Sequence, residues 1–214
     1  MALRLNVEVN EPADRVLVLA AEVVQAGGVV VYPTDTLYGL GANAWNAEAV
    51  RRVKAIKKRE EDKPVLVIVH SPAAALGLTD EVTEGAKALM KSFWPGPLTL
   101  LFRCGAHAPP AVTQGASRIG VRVPASRFCM RLAELSGCPV TSTSANISGE
   151  PVPTGVKEIE RALGGGVDLF IDGGTLVRGL PSTVVDVSES VPRLIREGVI
   201  TYEELKKTVP TMTR

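Results

Sequence analysis

The chain has 214 residues, of which 45% are hydrophobic and 22% charged, and its formal net charge is +1. This length suffices for one domain with a sizeable core, and the composition is that of an ordinary soluble globular protein. The charge balance excludes a strongly polyanion-seeking chain, so any nucleic-acid binding must come from local basic clusters. The first apolar run, residues 16–21, is too short for a signal sequence or a membrane span, which predicts a cytoplasmic protein without a membrane partner.

Hydrophobic periodicity predicts helices that alternate with short strands along the chain. The first helix begins near Pro12 and ends before Gly27, because proline suits a first turn and glycine a helix end. Asn46 and Thr201 are placed to cap the second and the last helix. The later predicted helices are 46–57, 83–92, 126–135, 156–163 and 202–207, and the predicted strands are 29–32, 65–69, 98–102, 119–123, 139–142, 169–171, 183–187 and 193–196. Residues 143–154 are predicted as a loop, and the interleaving predicts an α/β or α+β fold.

The residue types that common catalytic sites need are sparse. His70 and His107 are the two histidines, and neither lies in a metal-ligand pattern or near a G-x-S-x-G motif. The three cysteines match neither a C-x-x-C pair nor a disulfide framework, so we interpret them as reduced thiols. The glycine-rich motifs of P-loop and Rossmann proteins are absent from the sequence. Hydrolytic triads, zinc catalysis and standard nucleotide sites are therefore disfavoured.

Three segments concentrate polar side chains next to predicted strands or helices. Residues 34–38 follow a buried strand and carry three hydroxyl groups and the carboxylate of Asp35. Residues 57–63, KKREEDK, follow a helix and carry four cations. Residues 141–150, TSTSANISGE, follow another strand and carry five hydroxyl groups and Asn146. Each segment alone is also typical of a solvated turn or a helix end.

Two arginines lie in apolar strand sequences, where a guanidinium group needs an anionic partner because burying an unpaired charge is costly. These are Arg122 in IGVRVP and Arg196 in RLIREG. Together with Lys57, Arg59 and Lys63, and with hydroxyl-rich segments that can wrap phosphate oxygens, they predict a site for a ligand with several negative charges. A triphosphate is the natural candidate.

Seven segments of the chain, in their order, match a known family. They are GGVVVYPTDTLYGLGANA, KKR followed by KP, FWPGPLTLLF, GVRVPA, TSTSANISGEPVPT, PSTVVDV and LIREGVI. With them the chain resembles the YrdC-type threonylcarbamoyl-AMP synthases over about residues 13–205. The resemblance implies a short form with a single YrdC-like domain over residues 1–214, which ends before the additional C-terminal domain of longer relatives. It also implies a twisted, open mixed sheet with flanking helices around a large concave basic groove.

The resemblance further implies a reaction. L-threonine, bicarbonate and ATP would give threonylcarbamoyl-AMP and pyrophosphate, and other proteins would use the adenylate for threonylcarbamoyladenosine modification of tRNA. Mg²⁺ is expected as a cofactor on the ATP phosphates, without a site formed by protein side chains alone. Weak tRNA binding and contact with the downstream transfer proteins accompany this interpretation, and the oligomeric state stays open.

The positions of the motifs assign roles to individual residues through the resemblance. The residues expected to bind ATP are Lys57, Arg59, Lys63, Ser144, Asn146 and Arg196. The residues expected to be catalytic are Lys57, Arg59, Ser144 and Asn146. The residues expected to bind threonine are Thr36, Arg122, Ser142 and Ser182, with the arginine on the carboxylate. Asp35 stays open between orienting its turn and sensing the amine.

The chain departs from the family pattern at two positions. Glu60 stands where many members have proline, and Ile68 stands where several have a histidine that helps to bind threonine. His70 lies two residues further along the strand, about 7 Å away, so we do not transfer that role to it. These departures bear most directly on threonine binding.

Two other functions are compatible with this sequence. One is a YciO-like paralogue, which shares the fold and many motifs but acts on another substrate. The other is a nucleotide- or RNA-binding module without synthase activity that uses the basic groove. Binding by such an RNA module would weaken steeply with salt and would need no ATP.

Overall fold

The computed structural model describes residues 2–60, 64–176 and 179–214. Helices and strands are interspersed along these ranges, and the predicted α/β class is confirmed. The helices are α1 (Asp14–Gln25), α2 (Ala47–Ile56), α3 (Pro72–Leu76), α4 (Glu84–Phe93), α5 (Pro110–Thr113), α6 (Arg127–Ser136), α7 (Val156–Leu163) and α8 (Tyr202–Thr208). The strands are β1 (Leu3–Asn6), β2 (Val30–Tyr32), β3 (Gly39–Gly41), β4 (Val67–Ile68), β5 (Leu98–Arg103), β6 (Arg118–Arg122), β7 (Val140–Thr141), β8 (Thr143–Ser144), β9 (Leu169–Asp172), β10 (Thr183–Asp186) and β11 (Arg193–Arg196). Within the described ranges, none of the helices is both long and apolar enough to cross a membrane.

Side-chain caps explain where two of the predicted helices begin. Asn46 caps α2, because its Oδ1 accepts the backbone N–H of Ala49 at 3.1 Å. Thr201 caps α8 in a capping box, in which the Glu204 carboxylate accepts the backbone N–H of Thr201 at 2.8 Å. Both caps agree with the sequence prediction. The first helix also ends as predicted, with Gly27 in a left-handed conformation (φ 82°) just beyond it.

The hydrophobic periodicity does not predict five short elements, namely β1, β3, β8, α3 and α5. β8 lies in the segment predicted as a loop, so that prediction is wrong at Thr143 and Ser144. These two residues pair antiparallel with Leu40 and Gly39 of β3. Strands of two or three residues built from glycine and hydroxyl residues show no alternating hydrophobic pattern, and only their distant partners define them.

The strands divide into two mixed sheets, a division that the hydrophobic pattern does not specify. One sheet has the order β1-β9-β2-β3-β8 and the other the order β11-β10-β5-β6-β4-β7. The sheets meet where Thr141 donates its backbone N–H to the carbonyl of Ala42 at 2.8 Å and accepts the N–H of Ala42 on Oγ1 at 2.9 Å. The end of β3 therefore joins β7 of the other sheet.

Strand β2 lies at the centre of the first sheet and is buried on both faces, as its continuous apolar sequence predicts. Val30 and Tyr32 pack in one apolar cluster with residues of α1 and α6. Val31 points to the opposite face and packs in another cluster with residues of α2 and α7. Alternating side chains of a single strand thus connect two parts of the core.

The glycines of β3 make room for Tyr32. Its ring is fully buried, and its hydroxyl donates to the carbonyl of Thr141 at 3.2 Å. A Cβ on Gly41 would lie 2.7 Å from the Tyr32 ring and 2.5 Å from the Thr141 carbonyl, and one on Gly39 would lie 3.0 Å from the ring. Both distances on Gly41 are shorter than real Cβ contacts, so Gly41 is required by packing at the junction of the sheets.

We expect Gly41→Ala to destabilise the fold by about 2 kcal/mol, because the added methyl group must displace either the Tyr32 ring or the Thr141 carbonyl. The matched control is Gly165→Ala, whose Cβ would meet no atom within 4 Å and should change stability by less than ~0.5 kcal/mol. Denaturant unfolding of both variants measures the difference. Equal stability of the two would contradict the packing role of Gly41.

Candidate functional site

A groove of about 1110 Å³ opens where the two sheets meet, lined by residues of β3 and β8 from one sheet and of β5, β6 and β10 from the other. Hydroxyl-bearing side chains form much of its polar wall. Its charged lining residues, in the part of the chain that the structure describes, are the cations Lys57, Arg59, Arg118, Arg122 and Arg196. A concave surface with cations and without described carboxylates concentrates positive potential and favours anionic ligands.

The structure brings together all predicted site residues that it describes. The lining includes Thr36, Lys57, Arg59, Arg122, Ser142, Ser144, Asn146, Ser182 and Arg196. Lys63, the remaining predicted residue, lies outside the described residues. The individual ligand roles stay predictions, but the expected large basic groove is present.

The segment after β2 is held by the hydroxyl of Thr34. Its Oγ1 accepts the backbone N–H groups of Thr36 and Leu37, at 3.0 and 3.2 Å, and donates to the Leu37 carbonyl at 2.7 Å. The Thr34 hydroxyl therefore satisfies backbone groups of its own turn, which is the local role that the sequence alone also allowed for this segment. Tyr38 continues the segment, and its buried hydroxyl donates to the Gly174 carbonyl at 2.7 Å. Burial is also the main reason why the pKa of Tyr38 rises to about 12.

Arg122 is buried at the end of β6 and is bound on three sides by protein groups. Its Nε donates to the Gly96 carbonyl at 2.9 Å, its first terminal nitrogen to Thr36 Oγ1 at 3.0 Å, and its second to Asp35 Oδ1 at 2.6 Å. The other oxygen of Asp35 accepts the backbone N–H of Ala125 at 3.2 Å. The anionic partner that Arg122 needs is thus Asp35, whose two oxygens are both engaged in orienting this corner.

Lys57 follows α2 and is buried, with 2% of its surface exposed. Its Nζ donates to the carbonyl of Ser144 at 2.5 Å, to the carbonyl of Asn146 at 2.7 Å and to Asn146 Oδ1 at 3.2 Å. Desolvation, together with the nearby charge of Arg59, lowers the pKa of Lys57 to about 8. The loop is also tied internally, since Ser144 Oγ donates to Asn146 Oδ1 at 2.6 Å.

Arg59 and Arg196 are bound far less completely. One terminal nitrogen of Arg59 donates to the Pro64 carbonyl at 2.9 Å, while its buried Nε has no hydrogen-bond partner among the described residues. Arg196 donates to the Ser182 carbonyl at 2.9 Å. Partial burial lowers the pKa of Arg196, although arginine stays cationic at neutral pH. Neither guanidinium group forms an ion pair with a described carboxylate, and each has N–H groups without a partner among the described residues.

The P-S-T segment places Ser182 and Arg196 side by side. Thr183 Oγ1 accepts the N–H groups of Gly198 and Ile200 at 3.0 Å and donates to the Ile200 carbonyl at 2.6 Å. A Cβ on Gly198 would lie 2.1 Å from the Pro181 carbonyl, so the turn after β11 stacks directly on this segment. The order P-S-T followed by R-x-G thereby builds one wall of the groove.

Sequence reasoning missed Arg118. This residue lines the groove and donates through Nε to Ser188 Oγ at 3.0 Å, and its guanidinium forms a 3.2 Å ion pair with the buried Asp186. The signal that identifies it is the period of two along a strand. Arg118, Gly120 and Arg122 share one face of β6, so a strand that carries Arg122 into the groove carries Arg118 there as well.

The chain also resembles known proteins in sequence and in structure. The family model Sua5_yciO_yrdC, described as Telomere recombination, matches residues 22–198. The chain belongs to this Sua5/YciO/YrdC family. The threonylcarbamoyl-AMP synthase of Pyrococcus abyssi is 39% identical over 191 residues, which cover 89% of this chain and 56% of that protein. The resemblance drawn from the motifs is thereby confirmed, and the chain spans little more than half the length of this relative.

Two solved structures share the fold of this family member. The structure of P. abyssi Sua5 complexed with L-threonine superposes with a TM-score of 0.91 at 35% identity, covering 100% of this chain and 62% of that one. The structure of E. coli YciO superposes with a TM-score of 0.87 at 29% identity, covering 96% of this chain and 100% of that one. The YrdC-like architecture is thus shown.

The departures from the family pattern have clear positions in the structure. Ile68 is buried in the apolar cluster around α1 and α6 and does not line the groove. His70 lies instead in a second, mostly apolar pocket of about 250 Å³, together with His107 and Trp45. Among the described residues, no group of three His, Cys, Asp or Glu side chains could hold a metal ion. Because His70 lies in this second pocket and not in the groove, it cannot take the place of the histidine that several family members carry at threonine.

Asp35→Ala should destabilise the protein by about 3 kcal/mol, because it leaves the Arg122 guanidinium buried without its counter-charge. Glu134→Ala is the matched control, since it removes one partner of an exposed pair with Arg131 and should change stability by less than ~1 kcal/mol. Guanidinium chloride unfolding compares the two. A loss for Asp35→Ala no larger than the control would contradict a structural ion pair.

Proposed function

We propose that this Sua5/YciO/YrdC family member is an L-threonylcarbamoyladenylate synthase, a nucleotidyltransferase that uses L-threonine, bicarbonate and ATP. The observation that carries the proposal is the basic groove, in which the partly unpaired cations Arg59 and Arg196 lie together with the hydroxyl-lined corner of Arg122. The name of the P. abyssi relative and the L-threonine in the P. abyssi Sua5 structure support the same assignment.

The threonine side of the proposed site is the corner of Thr36, Ser142, Ser182 and Arg122. Arg122 has five N–H donors and uses three on protein groups. The two that remain are the number that a bidentate contact with a carboxylate requires. Ser182 Oγ lies 2.9 Å from Thr99 Oγ1, so one hydroxyl of this pair keeps a donor for the ligand.

The nucleotide side is formed by Arg59, Arg196, Ser144 and Asn146. A groove lined by neutral hydroxyl and amide oxygens, without a described carboxylate, fits Mg²⁺ that arrives on a triphosphate better than Mg²⁺ held by the protein. Ser144 and Asn146 would lie against the metal-bound phosphates. When bound, the metal would supply neutralisation of the charge on the leaving pyrophosphate.

In the proposed reaction the threonine amine adds to bicarbonate with loss of water, which gives a carbamate. A carbamate oxygen then forms a bond to the α-phosphorus, and the bond to the pyrophosphate oxygen breaks. Because an anion approaches a polyanion, the protein must supply positive charge and hold the two substrates in line. Arg59 and Arg196 supply the charge on one side, and Arg122 holds threonine on the other. No protein nucleophile is needed.

A second candidate is a YciO-like paralogue that acts on another substrate. Two observations favour it, since the chain covers the whole of E. coli YciO and the buried Ile68 replaces a family histidine expected at threonine. The RNA-binding alternative would use the same groove without catalysis. Location in the cytoplasm, weak tRNA binding and transfer of the adenylate to tRNA-modifying proteins are part of the proposal for the synthase.

Pyrophosphate release from ATP separates these functions. The synthase should release pyrophosphate only when L-threonine and bicarbonate are both present, and mass spectrometry should detect threonylcarbamoyl-AMP. Release that requires another amino acid or acid would identify the paralogue. An absence of release, with salt-sensitive RNA binding that is independent of ATP, would overturn the synthase in favour of the RNA-binding module.

We expect Arg59→Ala to lower kcat/KM for pyrophosphate release at least about 30-fold, which corresponds to ~2 kcal/mol, because it removes a charge-assisted contact with the transferring phosphate. The control is Lys58→Ala, which removes an exposed charge next to it in sequence and should change kcat/KM less than about twofold. Full activity of Arg59→Ala would contradict its role.

ATP affinity should fall as the pH rises through the pKa of Lys57, which is about 8. Below this value the ammonium group carries three donors for its three oxygen partners. Above it the neutral amine carries two, and at pH 9 only about a tenth of the charged form remains, so affinity should drop by up to about 10-fold between pH 7 and 9. Calorimetric titration with ATP measures this. ATP affinity of Lys57→Met should depend less on pH than that of the wild type. Identical pH dependence of the two proteins would show that the titration of Lys57 does not control ATP affinity.

A further inference from the structure

The two cations of the K-x-R motif lie in different surroundings although only one residue separates them. Lys57 is buried and surrounded by oxygen atoms of residues 144–146, whereas Arg59 has a single hydrogen bond to Pro64 among the described residues. An ammonium group has three protons, and Lys57 has three protein oxygens within 3.2 Å. The side chain therefore has no donor left for a phosphate in this arrangement.

The backbone of Lys57 is attached to the same loop. Its carbonyl accepts the N–H of Ser148 at 2.9 Å, while its own N–H donates to the Val53 carbonyl at the end of α2 at 3.3 Å. Side chain and main chain together thus connect α2 to residues 144–148 at four points. The hydrogen-bond network continues from Asn146, one of the acceptors, because its Nδ2 donates to the carbonyls of Ile147 and Glu150 at 3.0 and 2.6 Å.

We propose that Lys57 is a positioning residue of the nucleotide site, whose ammonium group holds the 144–146 segment and does not contact the phosphates. The direct contact of the K-x-R motif with the triphosphate then comes from Arg59. This inference rests on the proposed function, because it takes ATP to be the ligand of the groove. It differs from the role of phosphate ligand that the motif alone suggests for Lys57.

The chemistry of the surroundings supports this division. Turning Lys57 towards a phosphate would break three hydrogen bonds in a buried place, which is unfavourable. The Asn146 carbonyl would lose the donor it has here, while the Ser144 carbonyl and Asn146 Oδ1 would keep one donor each, the Asn146 N–H and the Ser144 hydroxyl. The lowered pKa of Lys57 agrees with an ammonium group held by neutral oxygens instead of a carboxylate. Among the described residues, Arg59 gives up one hydrogen bond when it turns to a phosphate, and its Nε, which has no partner among them, gains one.

Chemical labelling of the unmodified protein tests where the ammonium group lies. Reductive methylation followed by mass spectrometry should leave Lys57 unmodified both without and with ATP, while its exposed neighbour Lys58 is modified in both states. Modification of Lys57 in the nucleotide-free protein, with protection by ATP, would overturn the proposal. The nucleotide-free arm does not depend on the proposed function.

A double-mutant cycle tests how Lys57 acts on the nucleotide. Lys57→Met should weaken ATP binding at least about 10-fold, and adding Asn146→Ala should weaken it little further, because Asn146 lies against the phosphates only while Lys57 holds its loop. In the control cycle, the losses of Arg59→Met and Asn146→Ala should multiply. An unchanged affinity of Lys57→Met, or losses that multiply in the first cycle, would overturn the proposal.

Hydrogen exchange adds a readout that loss of global stability would not produce. In the absence of nucleotide, Lys57→Met should speed exchange of the amides of residues 144–148 at least about 10-fold relative to the amides of β5, and Arg59→Met should not. If exchange in Lys57→Met speeds up uniformly throughout the protein, or does not speed up in residues 144–148, the positioning role of Lys57 is contradicted. Failure of the wild type to bind ATP would overturn the proposed function while the exchange and labelling results still judge the attachment of the loop.

Discussion

The ion pair between Arg122 and Asp35 is the contact on which the groove depends. Arg122 ends β6 of one sheet and Asp35 follows β2 of the other, so their 2.6 Å contact holds the two sheets together at the base of the site. Tyr32 supports the same junction through its hydrogen bond to Thr141. Because the pair is mostly buried, the low local dielectric strengthens it and makes separation of the charges costly.

This junction explains how one chain can keep several cations beside a single cavity. Lys57, with three oxygen partners, and Arg122, with its ion pair to Asp35, fix the position of the walls. The cations that the protein satisfies only in part, Arg59 and Arg196, leave charge directed into the groove. The arrangement suits the proposed reaction between two anions, since the walls are fixed by protein contacts and the cations have N–H groups for the ligand.

Much of this architecture can be predicted from the sequence. Asn46 and Thr201 cap their helices as expected, and the continuous apolar run of β2 predicts its full burial. β3 and β8 cannot be predicted in this way, because their pairing joins residues about a hundred positions apart that lack a hydrophobic pattern. The motifs identify which residues surround the site, but not their hydrogen-bond partners. Many partners are backbone carbonyls, which every residue type carries, and Asp35 lies 87 positions from Arg122.

The most direct measurement is a crystal structure of this protein with a non-hydrolysable ATP analogue, Mg²⁺ and L-threonine. We expect the triphosphate within hydrogen-bond distance of Arg59 and Arg196, and the threonine carboxylate on Arg122 while that residue keeps its contact with Asp35. Lys57 should still contact the 144–146 segment. A nucleotide bound outside the groove, or a triphosphate that contacts neither Arg59 nor Arg196, would show that the basic groove is not the nucleotide site.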